Sequence, residues 1–219
     1  LFPLGSKRAF LFFLKDLMCR YSKTINFFDI LNIVNTNLIT GGYGMNLKEK
    51  FRHVLNFPKE GIDFIDITTV LQDKDAFKYA IDSLVDLVKD LDFDLIVGPE
   101  SRGFIFGAPV AYVLNKGLVL VRKKGKLPYK TVSVEYELEY GKDVLEMHID
   151  AIQPGQKVVI IDDLLATGGT TLSNIKLVEK LGGKVVGIAY LVELTYLNGR
   201  ENLKGYDVRS VVQFESSLI

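Results

Sequence analysis

The stretch VVIIDDLLATGGTT, residues 158–171, runs four apolar residues into two adjacent carboxylates, Asp162 and Asp163, and then into Thr-Gly-Gly-Thr. Neighbouring anions repel, and a carboxylate beside a core is costly unless something binds it. The apolar run KVVII (157–161) reads as a buried strand, and residues 170–181, with Leu172, Ile175, Val178 and Leu181 on one side, read as a helix. The unit is therefore strand, acid pair, short loop, helix. Gly168 and Gly169 leave room for a ligand to approach the backbone, and Thr167 and Thr170 add hydroxyl donors. The first amides of a helix lack internal partners and favour an anion. The stretch is neither a GxxxxGK[ST] phosphate loop nor a GxGxxG dinucleotide loop. A sugar phosphate suits it: with the phosphate over Thr167–Thr171, the acid pair faces two vicinal hydroxyls and a cation that offsets the repulsion. That describes a ribose 5-phosphate. The plainer alternative is that Asp162 and Asp163 merely cap the loop or the helix.

Working outward, strand and helix patterns alternate. FDLIVG (93–98), LVLV (118–121), KVVGIAYLVEL (184–194) and YDVRSVVQF (206–214) read as strands. Phe77, Ala80, Ile81, Leu84, Val85 and Val88 recur at helical spacing, which predicts a helix over 75–90. FIFGAPVAYVL (104–114) predicts a helix buried on most faces, its start blurred by Pro109. MNLKEKFRHVL predicts an amphipathic helix over 46–55, and VSVEYELEYGKDVLEM a hairpin turning near Gly141. Alternation of this kind implies an α/β fold, a central, mainly parallel, twisted sheet with helices on both faces. Ligands of such sheets sit at the carboxyl ends of the strands, where the acid pair is expected.

The bulk composition narrows the function. Lys plus Arg and Asp plus Glu each total 27, so the 219-residue chain is formally neutral and a nucleic-acid partner is not expected. Cys19 alone cannot form an internal disulfide, which points to a reducing, cytoplasmic setting. With His53 and His148 it makes no zinc constellation. No stretch reaches the length of a membrane span, and the apolar run Ala9–Leu14 is too short for a signal peptide. Residues 1–44, rich in Phe, Asn and Ile, differ from the rest and are left unassigned, as non-native or upstream sequence or a small extra module. Residues 45–219 form the expected functional domain.

VVIIDDLLATGGTT resembles the phosphoribosyl pyrophosphate (PRPP) motif of the type I phosphoribosyltransferases. FPKEGIDFIDIT (57–68), GPESRGFIFGAP (98–109), VRKKGKLPYKTVSVEYELEYGK (121–142) and LVELTYLNGRENL (191–203) extend the resemblance, in order, to the adenine branch of that family. The resemblance covers Met45 to Phe214. It implies a small N-terminal hood over the base, a flexible hairpin or lid, a homodimer, and transfer of phosphoribose from PRPP to adenine with Mg2+, giving AMP and pyrophosphate. Catalysis is then largely positioning and charge stabilisation.

The roles follow residue by residue. Asp162, Asp163, Ala166, Thr167, Gly168, Gly169, Thr170 and Thr171 bind PRPP, with Mg2+ near the acid pair through PRPP and water. Arg102 and Ser101 serve the pyrophosphate, and the Glu100–Ser101 peptide is expected to be cis. Arg122, Lys123, Lys124 and Lys126 form a basic patch beside Gly125 and Pro128, suited to a closing lid. Arg122 or Lys126 is expected to reach pyrophosphate. Glu135, Glu137 and Glu139 share one strand face, and the resemblance picks Glu139 as the carrier of the purine proton. Phe64 is expected to stack on adenine and Leu164 to close its other face, with backbone groups at Asp63 and Ile65 reading the amine. Where this chain has Ile65 the family usually carries Arg or Lys, which implies a missing cation near the site. Two alternatives stay open at this point: a transferase for another purine, decided by residues 61–67, and a PRPP-sensing regulator without catalysis.

Overall fold

The computed structural model describes residues 45–138 and 141–218, with the backbone alone for 136–138 and 141–142. The chain divides between Gly44 and Met45, and every element below belongs to the second unit.

Two short strands come first, β1 (Arg52–Leu55) and β2 (Asp63–Asp66), paired antiparallel with Val54 opposite Phe64. Helices α1 (Thr68–Gln72) and α2 (Lys74–Val88) follow. The Asp73 carboxylate caps α2 by accepting from the amides of Asp75 and Ala76, which satisfies two of its orphan donors. Next come β3 (Leu95–Pro99), α3 (Arg102–Val113), β4 (Gly117–Lys123), β5 (Thr131–Leu138) and β6 (Gly141–His148). The chain continues through β7 (Lys157–Leu165), α4 (Gly169–Lys180), β8 (Lys184–Leu194) and β9 (Val208–Phe214).

Seven strands form the main sheet in the order β5-β6-β4-β3-β7-β8-β9. β4, β3, β7, β8 and β9 run parallel, and the β5–β6 hairpin is antiparallel at one edge. Both faces are covered, as the strand–helix alternation requires. On β7, Val159 and Ile161 enter one core with Leu84 of α2 and Phe106 of α3, while Val158 and Ile160 enter the other with Ile175 and Val178 of α4. A strand buried on two faces reads as an unbroken apolar run, which is why KVVII carries no alternation.

Three expectations need correction. The helix over 46–55 is instead a 3-10 turn, Leu47–Lys50, followed by β1. Pairing with β2, and the burial of Phe51 edge-on against Phe214 at a centroid distance of 6.0 Å, override the local helical pattern. Helix α3 is buried on fewer faces than its apolar sequence predicts: Ile105, Tyr112 and Val113 are exposed, because only one side of it meets the sheet. The acid pair does not end its strand either; β7 continues to Leu165 along β8, whereas its pairing with β3 stops at Ile160. The turn of the predicted hairpin, with Glu139, lies outside the described residues.

Candidate active site

The site is built where β7 outruns β3. Asp162 and Asp163 are adjacent on a strand, a placement that ordinarily sends side chains to opposite faces. Here Ile161 and Leu164, three residues apart, pack into the same core, so strict alternation is interrupted across the pair. Both carboxylates line one cleft of about 240 Å³, walled by Glu100–Arg102 and by 162–171.

The loop that closes the cleft is shaped by backbone. Gly168 has φ of +83° and caps α4 without a side-chain bond, so the first amides of a three-turn helix are left for a ligand. Thr167 and Thr170 are exposed at the rim, and Thr171 is buried at the floor. The loop is braced from outside by the segment Gly199–Leu203: Asn202 Nδ2 donates to the Thr167 carbonyl at 2.8 Å, and a Cβ on Gly168 would lie 2.8 Å from the Gly199 carbonyl oxygen. Arg200 ties that segment to the sheet, with Nε 2.6 Å from Glu193 Oε1 and Nη2 2.7 Å from Oε2. This gives LVELTYLNGRENL a physical role, a strut behind the loop between β7 and α4.

Electrostatics single out the acid pair. Burial, and then the charge of Asp163, hold the Asp162 carboxyl well above its ordinary range. Asp163 is also raised by burial, opposed first by Arg102, whose Nε lies 2.9 Å from its Oδ2. That oxygen is buried, and the Arg102 ion pair stands in place of an aligned hydrogen bond to it. Among the described residues no cluster of three or more His, Cys, Asp or Glu could hold a metal by itself.

Arg102 joins the two halves of the site. Its guanidinium carbon lies 5.7 Å from the centroid of the Phe64 ring, so the hood strand β2 faces the phosphate cleft. The strand alternates: Asp63 and Ile65 point inward, Phe64 and Asp66 outward. Phe64 is half-buried and meets Phe57 edge-on at 5.3 Å. Ile65 is only 3% exposed and belongs to the apolar core. The Asp63 carboxylate is occupied by His53 Nδ1 at 2.8 Å and by the amide of Leu218 at 3.1 Å, which leaves its backbone as the part available to a ligand. Leu164 lines the cleft.

The basic patch stands outside the cleft wall. Arg122 does not line the cleft; it folds back onto Glu100, with Nε 3.2 Å from Oε2, Nη2 3.3 Å from Oε1, and Nη1 donating to the Lys126 carbonyl at 3.1 Å. Lys126 is exposed and also outside the cleft wall. Glu100 accepts the Lys123 amide at 2.9 Å, and that bond, together with Arg122, keeps its carboxyl below the usual range against its burial. Glu100 was not singled out from the sequence; its signal was the apolar strand ending in an acid before Ser-Arg-Gly. The Glu100–Ser101 peptide is cis, as the resemblance implies. Ser101 precedes α3 and makes no side-chain cap bond.

Comparison with known proteins agrees with this geometry. The family described as the phosphoribosyl transferase domain matches residues 68–216. An adenine phosphoribosyltransferase of Caldicellulosiruptor saccharolyticus is 99% identical over 175 residues, 80% of this chain and 100% of that protein. The crystal structure of adenine phosphoribosyltransferase from Thermoanaerobacter pseudethanolicus is 56% identical, with a TM-score of 0.75 over 77% of this chain and 98% of that one. The Saccharomyces cerevisiae enzyme, crystallised with an imino-altritol bisphosphate and adenine, is 37% identical, with a TM-score of 0.70 over 78% and 97%.

Proposed function

The chain belongs to the phosphoribosyl transferase family and, within it, to the adenine phosphoribosyltransferases, and on that premise we propose which of its groups carry the reaction. The enzyme transfers the 5-phosphoribosyl group of PRPP to adenine, a step of purine salvage; the bond to pyrophosphate breaks, the bond to a ring nitrogen forms, and AMP and pyrophosphate leave. In our reading the 5-phosphate sits against the amides and hydroxyls of Thr167–Thr171, with Ala166, Gly168 and Gly169 leaving it room. The ribose diol donates to Asp162 and Asp163. The observation that carries this assignment is the shared cleft of the acid pair and the uncapped start of α4.

Arg102 and Ser101 are the proposed pyrophosphate ligands within this subunit, and Phe64 and Leu164 the two faces of the adenine slot, with the backbone of Asp63 and Ile65 at its edge. Glu139 is the proposed proton carrier. Arg122 and Lys126 reach pyrophosphate only if the Glu100 contacts open, so both belong to the proposed lid rather than to the standing wall. Two adjacent buried carboxyls with raised pKa, only one of them paired to Arg102, fit a cation brought in by PRPP, and Asp162 and Asp163 would hold Mg2+ mostly through PRPP oxygens and water. When bound, it would neutralise charge on the departing pyrophosphate.

The same proposal takes residues 45–219 as the transferase domain and 1–44 as an extension outside it. A second copy of the chain is the proposed partner, supported by the exposed apolar side chains Ile105, Tyr112 and Val113 of α3 and Leu120 of β4. The single cysteine supports the cytoplasm as the location. The test is pyrophosphate release from PRPP and Mg2+ with adenine, hypoxanthine, guanine or orotate. Release with adenine alone is expected; equal release with hypoxanthine, or none with any base, would refute the reading.

A further inference from the structure

We propose that Tyr190, beneath the phosphate loop, is a positioning residue that aims the hydroxyl of Thr171 at the 5-phosphate of the substrate. The inference rests on the reading of the cleft given above. Tyr190 lies on β8, directly opposite Asp162 in the strand pairing, and is fully buried. Its hydroxyl is 2.6 Å from Thr171 Oγ1, and both atoms are buried. Nothing in the phosphate-loop motif marks it, because it lies nineteen residues beyond Thr171 in the chain.

The direction of this hydrogen bond follows from its surroundings. A phosphate dianion only accepts, so a Thr171 hydroxyl bound to it must donate, and the remaining lone pairs of Oγ1 must accept from Tyr190. The phenol is kept able to donate. Burial, reinforced by the charges of Asp162 and Glu193, holds its pKa above the ordinary value despite the bond to Thr171. A threonine in a helix also splits between two χ1 wells, because its hydroxyl can turn back to the carbonyl three or four residues earlier. For Thr171 those carbonyls belong to Gly168 and Thr167, within the loop itself. The bond from Tyr190 competes with that turn and fixes the hydroxyl of a residue that lines the cleft. Polarisation along the chain Tyr190, Thr171, phosphate then strengthens the outer bond.

The test is Tyr190→Phe, which keeps the ring and its packing and removes one oxygen. The KM for PRPP and the Kd for AMP by calorimetry are expected to rise about fivefold, the scale of one hydrogen bond to a charged group acting indirectly. The KM for adenine, which has no phosphate, and kcat at saturation should stay within about twofold. In a Thr171→Val background the same change should add almost nothing, because the relay is already cut. Tyr190→Met provides the same measurements should the Phe variant fold poorly. Wild-type affinity for AMP in a folded Tyr190 variant, equal losses for adenine and PRPP, or full additivity with Thr171→Val would each overturn the inference. A wild-type enzyme that releases no pyrophosphate with adenine would overturn the functional reading instead, and AMP titration of the two proteins separates the cases.

Discussion

Replacing Gly103 by alanine tests how tightly the acid pair and the start of α3 are fitted together. A Cβ at Gly103 would lie 2.6 Å from Pro99 Cδ, 2.9 Å from Asp162 Oδ1 and 3.1 Å from the Ile161 carbonyl oxygen. Carbon–carbon contacts settle near 3.5–4.0 Å, so α3 must lift by about 1 Å from β3 and β7. The obstructing groups are a proline ring, a backbone carbonyl and a carboxylate already held by the Asp163 amide at 2.9 Å, none of them a free side-chain end. The lift carries Arg102, the preceding residue, away from Asp163 and from Phe64. Overpacking costs about 1–3 kcal/mol, and the better helix propensity of alanine returns up to ~1 kcal/mol. The melting temperature should therefore fall, by up to about 12 °C for a domain of this size. A displacement of ~1 Å in a positioned site costs ~10²-fold in rate, so kcat/KM for PRPP should drop by about that factor. The assay is pyrophosphate release under varied PRPP at saturating adenine, beside a thermal melt. Gly107→Ala is the control: its Cβ would meet Leu118 Cδ1 at 3.4 Å, an ordinary contact with a flexible end, and it should leave activity unchanged. A folded Gly103→Ala enzyme within about threefold of wild type, or an equal loss in Gly107→Ala, would refute the reasoning.

Asp162→Asn should separate stability from binding. The raised carboxyl pKa of Asp162 means that the folded state holds its proton more tightly than the unfolded chain does. Stability from this group is thus present below the ordinary carboxylate pKa of ~4 and is lost as the pH rises through the folded value. The asparagine variant escapes that loss, so its gain in melting temperature over wild type should grow from pH 4 to pH 8, while PRPP binding weakens; a gain that shrinks with pH would contradict the sign. Glu139→Gln should lower kcat by ~10²–10⁴-fold while AMP still binds, and wild-type turnover in that variant would remove Glu139 from the mechanism.

Much of the site was legible because its residues are neighbours in the chain. Asp162 to Thr171 form a strand end, a loop and a helix start, and their chemistry depends on the conformation of that one segment. Arg102 and Phe64 were legible only as members of recurring segments, since nothing local says that one guanidinium reaches both Asp163 and the Phe64 ring. The contact of Arg122 with Glu100, twenty-two residues away, was not legible, because a basic run says nothing about the acid that pairs with it. The burial of Ile65 was not legible, because strand parity on β2 depends on which face the core covers. The helical pattern over 46–55 gave way to pairing with β2, a contact no window of that length contains.

By itself the sequence determined the parallel α/β sheet, through apolar runs alternating with helical periodicity, and the phosphate loop, through residues whose geometry is local. The tertiary structure decided which long-range groups complete the site: Glu100 as the anchor of Arg122, Asn202 as the brace of Thr167, Tyr190 beneath Thr171. The physical reason is range. Strand, turn and helix preferences act over a few residues, whereas a hydrogen bond or an ion pair between distant segments exists only once hydrophobic burial has brought those segments together.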